Sequence, residues 1–362
     1  MRKFLITLVS ALIMCSILLS GCGCSGCSGE ITLSFEPLFY GKDGTPPIGY
    51  KETCNYTVDY EQSFGSDIKK DSNLKDSIIK YDYSGSYVTS FEILSSLPEK
   101  TVSDLPFGQV DIKTDQRGAL TSQNVHIYQL ITRLDVTATY QIPGKDDQTF
   151  NDYIYTESYF TPGESGFNPI FTVTQSEYSA FGLQEGKAKI YKLTSNNKTA
   201  YNKTSYTMTT SYDKKPATSE SYEYSQSTLI DNNQLLFTMR NVNLSSNQQY
   251  EISVVSYQYG EFKNLIFTND GAGTASQPVA QGDLTVNGEN YDQTEIKLKR
   301  YSYCISENKM RGVEQYVFYQ NGENGNLGNR SVMYRYVEPL FAFGSYSCLG
   351  ALVYTLDSIT FN

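Results

Sequence analysis

Residues 126–142 read HIYQLITRLDVTATYQI. His126, Tyr128, Leu130, Thr132, Leu134, Val136, Ala138, Tyr140 and Ile142 share one side of an extended chain, while Gln129, Arg133, Asp135, Thr137, Thr139 and Gln141 share the other. A period of two marks a β-strand with one face in a core and one in water, whereas apolar positions in a helix recur at three and four. Only Ile127 and Ile131 interrupt the polar side. At about 3.3 Å per residue the stretch is roughly 50 Å long, far beyond the usual strand of about five or six residues. Such a strand predicts a large, strongly curved, mainly antiparallel sheet, half-barrel-like, because long twisted sheets coil.

The same alternation extends in both directions. Upstream, Cys54, Tyr56, Val58 and Tyr60 alternate, and so do Ile79, Tyr81, Tyr83, Gly85, Tyr87, Thr89, Phe91 and Ile93, with Gly85 marking a bend or bulge. Downstream, strands are expected at 153–160, 170–178, 187–194, 205–212, 219–229, 235–242, 250–259, 295–305, 313–319, 331–337 and 349–361, most joined by Gly, Asn, Asp or Pro turns as in a meander. Helical patterns are confined to 66–76 and a turn at 176–181. Irregular stretches fall at 95–118 and 269–293, the second being the better hinge or long loop. The reading is an all-β protein with one large domain over residues 30–362; the alternative is two packed β-sandwich lobes meeting near that hinge.

Composition supports strands: 31 Tyr and 18 Phe with no Trp. The net charge of −10 would become −12 on loss of residues 1–21, which carry Arg2 and Lys3 and no acid. That acidity excludes nucleic acid as a partner. The densest basic run, Lys297-Leu298-Lys299-Arg300, sits in an alternating strand and reads as a solvated face.

Arg2 and Lys3 precede an almost wholly apolar segment, residues 4–19, of secretory-signal rather than membrane-spanning length. It closes on Leu19-Ser20-Gly21-Cys22. This order resembles the lipobox of bacterial lipoproteins, and the resemblance implies a signal peptide over residues 1–21, a diacylglyceryl group (with palmitate-type acyl chains) on Cys22, and a mature chain starting there, anchored on the outer face of the cell membrane. Two or more acyl chains, at about 0.8 kcal/mol per buried methylene, hold a protein far more firmly than one. Residues 22–29 form a Cys/Gly/Ser tether; the seven after Cys22 span at most about 25 Å, so the folded part stays near the membrane.

Beyond Cys22 the cysteines are Cys24, Cys27, Cys54, Cys304 and Cys348. Cys304 and Cys348 share the last strand-rich block and are expected to form a disulfide, leaving Cys54 with a tether cysteine or alone. His126 is the only histidine, so a zinc site on Cys24 and Cys27 is not expected.

A second likeness lies in the order of elements. The long strand at 126–142, then Tyr153-Ile154-Tyr155 and Tyr159-Phe160, then Phe167-Asn168-Pro169-Ile170, and the closing Leu349-Gly350-Ala351-Leu352-Val353-Tyr354-Thr355-Leu356, are similar to curved-sheet proteins of the periplasmic lipoprotein-carrier type. That likeness implies an open half-barrel around an apolar ligand and carries over no functional residue.

No catalytic constellation is legible. His126 lies at a strand start with no nucleophile elbow to partner it. Asp146, Asp147, Asp152 and Glu157 form the densest acidic group, but 143–152 reads as a solvated hairpin turn and no tryptophan offers a sugar platform. Asn269-Asp270-Gly271 and Asn287-Gly288-Glu289-Asn290 hold calcium-type oxygens without the spacing of a calcium loop, and turn formation explains them. Gly271-Ala272-Gly273 opens no helix, as a phosphate cradle requires. Asn197-Lys198-Thr199 and Asn202-Lys203-Thr204 match glycosylation acceptors, a pattern without default meaning in a bacterial lipoprotein. The tyrosines, spread over nearly every strand, read as strand formers. The expectation is a non-enzymatic, membrane-tethered exported protein, with no cofactor, that binds an apolar or amphipathic, lipid-like ligand or an envelope protein. A structural or adhesive envelope component and a carboxylate-based hydrolase are the alternatives.

Overall fold

The structure is a computed structural model that describes residues 47–61, 80–102, 108–112, 126–163, 166–185, 187–202, 204–213, 215–224, 229–240, 249–256, 261–274, 284–291, 297–305, 315–320, 330–341 and 348–362. The strands are β1 (Lys51–Glu61), β2 (Lys80–Leu94), β3 (Ile127–Gln141), β4 (Gln148–Gly163), β5 (Gly166–Gln184), β6 (Lys187–Tyr201), β7 (Ser205–Tyr212), β8 (Thr218–Glu223) and β9 (Leu229–Asp231). A 3-10 turn, Asn232–Gln234, and a short helix α1, Leu235–Met239, follow. Then come β10 (Gln249–Ser256), β11 (Glu261–Thr274), β12 (Leu284–Val286), β13 (Glu289–Tyr291), β14 (Lys297–Ile305), β15 (Gln315–Gln320), β16 (Met333–Phe341) and β17 (Cys348–Phe361).

The 17 strands among the described residues belong to one sheet, which they do not close. Strands β1 to β8 form an unbroken antiparallel meander. β1 also pairs antiparallel with β17, so the two ends of the folded chain join this meander to a second one, β17–β16–β15–β14–β11–β10. β9 adds in parallel beside β10, and the β12–β13 hairpin lies parallel to β17, beyond the end of β16. Both meanders share one core: Val58, Leu134, Leu265 and Leu356 belong to a single buried cluster, and Leu235 and Met239 of α1 lie inside it. The sheet is curved, with α1 packed on its concave side.

β3 shows why. From Arg133 onward its even positions are buried and its odd ones are not, as the sequence alternation requires. Before Arg133 both faces are covered: Ile127 packs with Leu97, Val110 and Ile112 on the convex side. Residues 95–102 and 108–112 therefore supply an outer cover, pinned by Thr101 N–H to the Val110 carbonyl and Ile112 N–H to the Glu99 carbonyl. The apolar interruption at Ile127 is the footprint of that cover.

Several expectations need correction. Gly85 is not a bulge, since β2 pairs with β1 and β3 without a register shift; a Cβ there would lie 2.0 Å from the Asp135 carbonyl oxygen, so glycine permits a close backbone approach. The turn at 176–181 is the interior of β5. The strand expected at 170–178 runs on through it to Gln184, and hydroxyls bridge its middle, Thr172 bonded to Ser158, Thr174 to Thr156 and Ser176 to Ser195. The strand expected at 235–242 is replaced by α1, whose run Leu-Leu-Phe-Thr-Met is almost entirely buried; a short apolar run has no period to tell helix from strand. Within 269–293, residues 269–274 belong to β11 and 284–291 to the β12–β13 hairpin, whose two-residue turn, Asn287 and Gly288, has φ of 50° and 83°. The helix expected at 66–76 and residues 1–46, with Cys22, Cys24 and Cys27, lie outside the described residues, as do the side chains of Cys304 and Cys348. β15 and β16 stand between the strands that carry those last two cysteines.

Candidate functional site

A cleft of about 180 Å³ lies between the concave face and the segment 232–240. Its floor is a row of tyrosines that crosses four neighbouring strands. Tyr336 of β16 meets Tyr354 of β17 at 5.1 Å between ring centroids, Tyr354 meets Tyr87 of β2 at 5.3 Å, and Tyr87 meets Tyr56 of β1 at 5.6 Å. Cross-strand aromatic pairs of this kind add to sheet stability beyond area burial. Desolvation raises the Tyr56 and Tyr87 hydroxyls well above the ordinary phenol range, so they act as neutral donors. One wall, from β3 and β4, presents Leu130, Leu134 and Ile154 with the Thr132 and Thr156 hydroxyls among them. The opposite wall presents Gln315 of β15 and Glu338 of β16, where the Tyr354 hydroxyl donates to Glu338 at 2.6 Å.

The roof is held at both ends. At its start, Asp231 accepts from the Tyr201 hydroxyl at 2.5 Å and caps the 3-10 turn through Asn233 N–H at 2.8 Å. In the middle, the Tyr319 hydroxyl donates to the Leu236 carbonyl at 2.6 Å, and the Phe237 ring lies tilted against Phe91, 4.6 Å between centroids. At its end Arg240 forms a buried, two-pronged ion pair with Glu52 of β1, at 2.7 and 3.2 Å, and donates to the Ser331 and Arg330 carbonyls. Burial works against the guanidinium charge, but the Glu52 carboxylate overrides it and the Arg240 pKa stands above the ordinary arginine value.

The acidic group singled out in the sequence is taken apart by the fold. Asp146 and Asp147 are exposed on the β3–β4 turn. Asp152 is not in that turn but within β4, 6% exposed on the concave side. It accepts from Ser179 N–H at 2.8 Å and from the Ser179 hydroxyl at 2.6 Å; Ser179 in turn bonds Tyr140, and Tyr140 bonds Tyr83. Desolvation raises the Asp152 pKa, opposed by the bonds from Ser179. Glu157, five residues on, faces the convex side, where it accepts from Val102 N–H, Gln129, Tyr155 and Tyr159. The sheet stands between the two carboxylates.

Other candidates also find structural places. His126 is half-buried just before β3. Asn269 accepts from Gly271 N–H at 2.9 Å where the β11–β14 register shifts, and Asp270 pairs with Arg300 at 3.4 Å. Asn197 is buried in β6, donating to Ser195. Cys54 is a buried free thiol beside Glu52.

Sequence reasoning missed Gln315, Glu338, Glu52 and Arg240. Gln315 carried a signal: it shares its side of β15 with Val317 and Tyr319, both fully buried, so it is a polar residue at a core position. Arg240 ends an apolar run and nothing near it points to Glu52, 188 residues away.

No family model and no curated protein matches the chain. Among solved structures it is similar to a β-barrel-like protein of a domain of unknown function, DUF1849, from Brucella abortus, with a TM-score of 0.43 and 6% identity over 87% of this chain and 98% of that one. No helix among the described residues is long and apolar enough to cross a membrane.

Proposed function

We propose that this chain is an exported, non-enzymatic lipoprotein, tethered to the outer face of the cell membrane through a lipid on Cys22, whose concave cleft binds an apolar or amphipathic ligand. The observation that carries the ligand reading is the mixed lining of the cleft, with Leu130, Leu134, Ile154 and Met333 beside Thr132, Thr156, Gln315 and Glu338. Mostly apolar concave sites with a few placed polar groups are where proteins hold small amphiphiles. The tether supports the same reading, since it would keep the cleft within reach of membrane-derived molecules. A cleft of about 180 Å³ is slightly above the ~150 Å³ that admits benzene and below the 300–1,000 Å³ of drug-sized sites, so with α1 in place it suits a short chain or one end of a longer one.

Purification in mild detergent and mass spectrometry of what co-purifies tests the ligand. The anchor is tested by Cys22→Ala: the wild-type chain should partition with membranes and carry the mass of its acyl groups, and the variant should do neither. An unchanged mass and unchanged partitioning would remove the lipoprotein reading. The exposed strand β8, Thr218–Glu223, at the end of the first meander offers an edge for protein contacts and is what the adhesive alternative would use.

A further inference from the structure

The two rims of the curved sheet are built differently. Successive antiparallel strands reverse direction, so the β3–β4, β5–β6 and β7–β8 turns lie at one rim, where Lys145, Asp146, Asp147, Glu185, Lys187 and Asp213 are all exposed. A strand length away, roughly 45 Å at about 3.3 Å per residue, the other rim gathers the start of β1, the ends of β2 and β17, and the β4–β5 turn. There Gly49 N–H bonds the Ile93 carbonyl at 2.8 Å and Lys51 N–H bonds Asn362 Oδ1 at 2.7 Å.

This second rim is apolar where the first is charged. Ile48 is 53% exposed; among the described residues the other exposed large hydrophobic side chain, Val102, belongs to the convex cover. Two residues on, Tyr50 enters a buried layer with Phe91, Tyr128, Phe160 and Phe237, and Phe167 and Phe361 lie half-buried at its edge. Phe167 stands 5.1 Å from Phe160 and 5.7 Å from Tyr128 between ring centroids. The lysine beside Tyr50, Lys51, is paired with Glu92 at 3.3 Å. Leu130 and Phe237 belong both to this layer and to the lining of the cleft, so the cleft lies directly behind it.

A lone exposed isoleucine is ordinary on a protein surface, but this one stands at the rim from which the chain runs back to Cys22, 25 residues upstream of Pro47. A segment of that length could reach past either rim, so the side chains at the rims set the orientation. Apolar and aromatic side chains settle at the headgroup boundary, whereas the negative surface potential of an anionic leaflet repels carboxylates.

We propose that the Ile48 rim is the membrane-facing surface of the protein: it rests on the bilayer with Ile48 in the headgroup region and Phe167 and Phe361 beside it, and the charged rim points away. This rests on the lipid anchor at Cys22 and adds to it an orientation, with the cleft one aromatic layer from the lipid.

The chain has no tryptophan, so a single one reports its own surroundings. Full-length Ile48→Trp and Asp146→Trp, each bearing its lipid, are reconstituted into vesicles of phosphatidylcholine and phosphatidylglycerol with or without bromine on the acyl chains. Both variants place the same indole on an exposed site, so its own taste for the interface cancels in the comparison. Brominated lipid should quench Ile48→Trp severalfold more than Asp146→Trp, and the emission of Ile48→Trp should move to the blue when vesicles are added. Equal quenching at the two sites, or stronger quenching at Asp146→Trp, would overturn the proposal. So would a blue emission from Ile48→Trp that bromine leaves unquenched, which would mean that a second copy of the chain covers the rim. Flotation of the same vesicles separates the two readings: a wild-type chain that does not float with them overturns the anchor and the orientation together, whereas a floating chain with either quenching failure overturns the orientation alone. Should Ile48→Trp fail to fold by circular dichroism, Pro47→Trp takes its place with the same outcomes.

Discussion

Arg240→Met isolates the contact that closes the roof of the cleft onto the sheet. The substitution keeps most of the side chain's apolar volume and removes four hydrogen bonds: two to Glu52, at 2.7 and 3.2 Å, and one each to the Ser331 and Arg330 carbonyls, at 3.2 and 3.0 Å. Glu52, 1% exposed, then keeps, among the described residues, the Tyr50 hydroxyl at 3.3 Å and the Cys54 thiol at 3.8 Å. Removing one partner of a buried pair leaves an uncompensated charge and costs about 3–5 kcal/mol, much of it desolvation rather than the net worth of the pair. For a chain of this size each kcal/mol lowers Tm by about 2 °C, so a fall of roughly 6–10 °C is expected. The double variant Arg240→Met with Glu52→Leu replaces both charges by apolar groups and should recover to within about 1–2 kcal/mol of wild type, where Glu52→Leu alone should not. Urea unfolding followed by far-UV circular dichroism and tyrosine fluorescence reads this directly, as the chain has no tryptophan. A single-variant loss below about 1 kcal/mol, or a double variant as unstable as the two singles summed, would refute a coupled buried pair.

Gly85→Ala should lower stability by about 1–3 kcal/mol or more, because the new Cβ would sit 2.0 Å from the Asp135 carbonyl oxygen and 2.7 Å from Val136 Cα, backbone that can yield only by parting β2 from β3. A loss under about 0.5 kcal/mol in the same urea assay would contradict that close approach. Asp152→Asn tests the buried carboxyl through pH. The folded-state pKa of Asp152 is raised, so the wild-type fold binds its proton more tightly than the unfolded chain does; its stability is full below the unfolded value of 3.8 and falls as pH rises toward the folded one. Asparagine does not titrate and can still accept from Ser179, so the Tm difference, variant minus wild type, should grow with pH just above 3.8 and then level off. Thermal melts from about pH 3 to 7 that show a constant difference would count against a raised pKa.

How much was written locally can be judged from particular elements. The 15 residues of β3 lie within one residue of the stretch the alternation marked at each end, and β7 has the expected bounds, because strand periodicity is a property of neighbouring residues. β5 was read only over 170–178 and missed at 166–169 and 179–184, and β11 went unread where Gly271-Ala272-Gly273 offers no side-chain pattern; pairing with β14 makes that stretch a strand. Of the cleft, its β3–β4 wall, its tyrosine floor and Gln315 were visible as strand residues, and nothing showed that they would face one another.

The sequence by itself determined a β-protein with a long curved sheet, since strand alternation depends on residues adjacent in the chain. Only the tertiary structure decided that Leu97, Val110 and Ile112 cover the convex face, that 235–239 is a helix packed on the concave one, that the sheet separates Asp152 from Glu157, and that Gln315 and Arg240 come to the cleft. These depend on which distant strands curve toward each other. A burial pattern tells each strand that it has an inside; the pairing of β1 with β17 and the curvature of the sheet choose what it meets there.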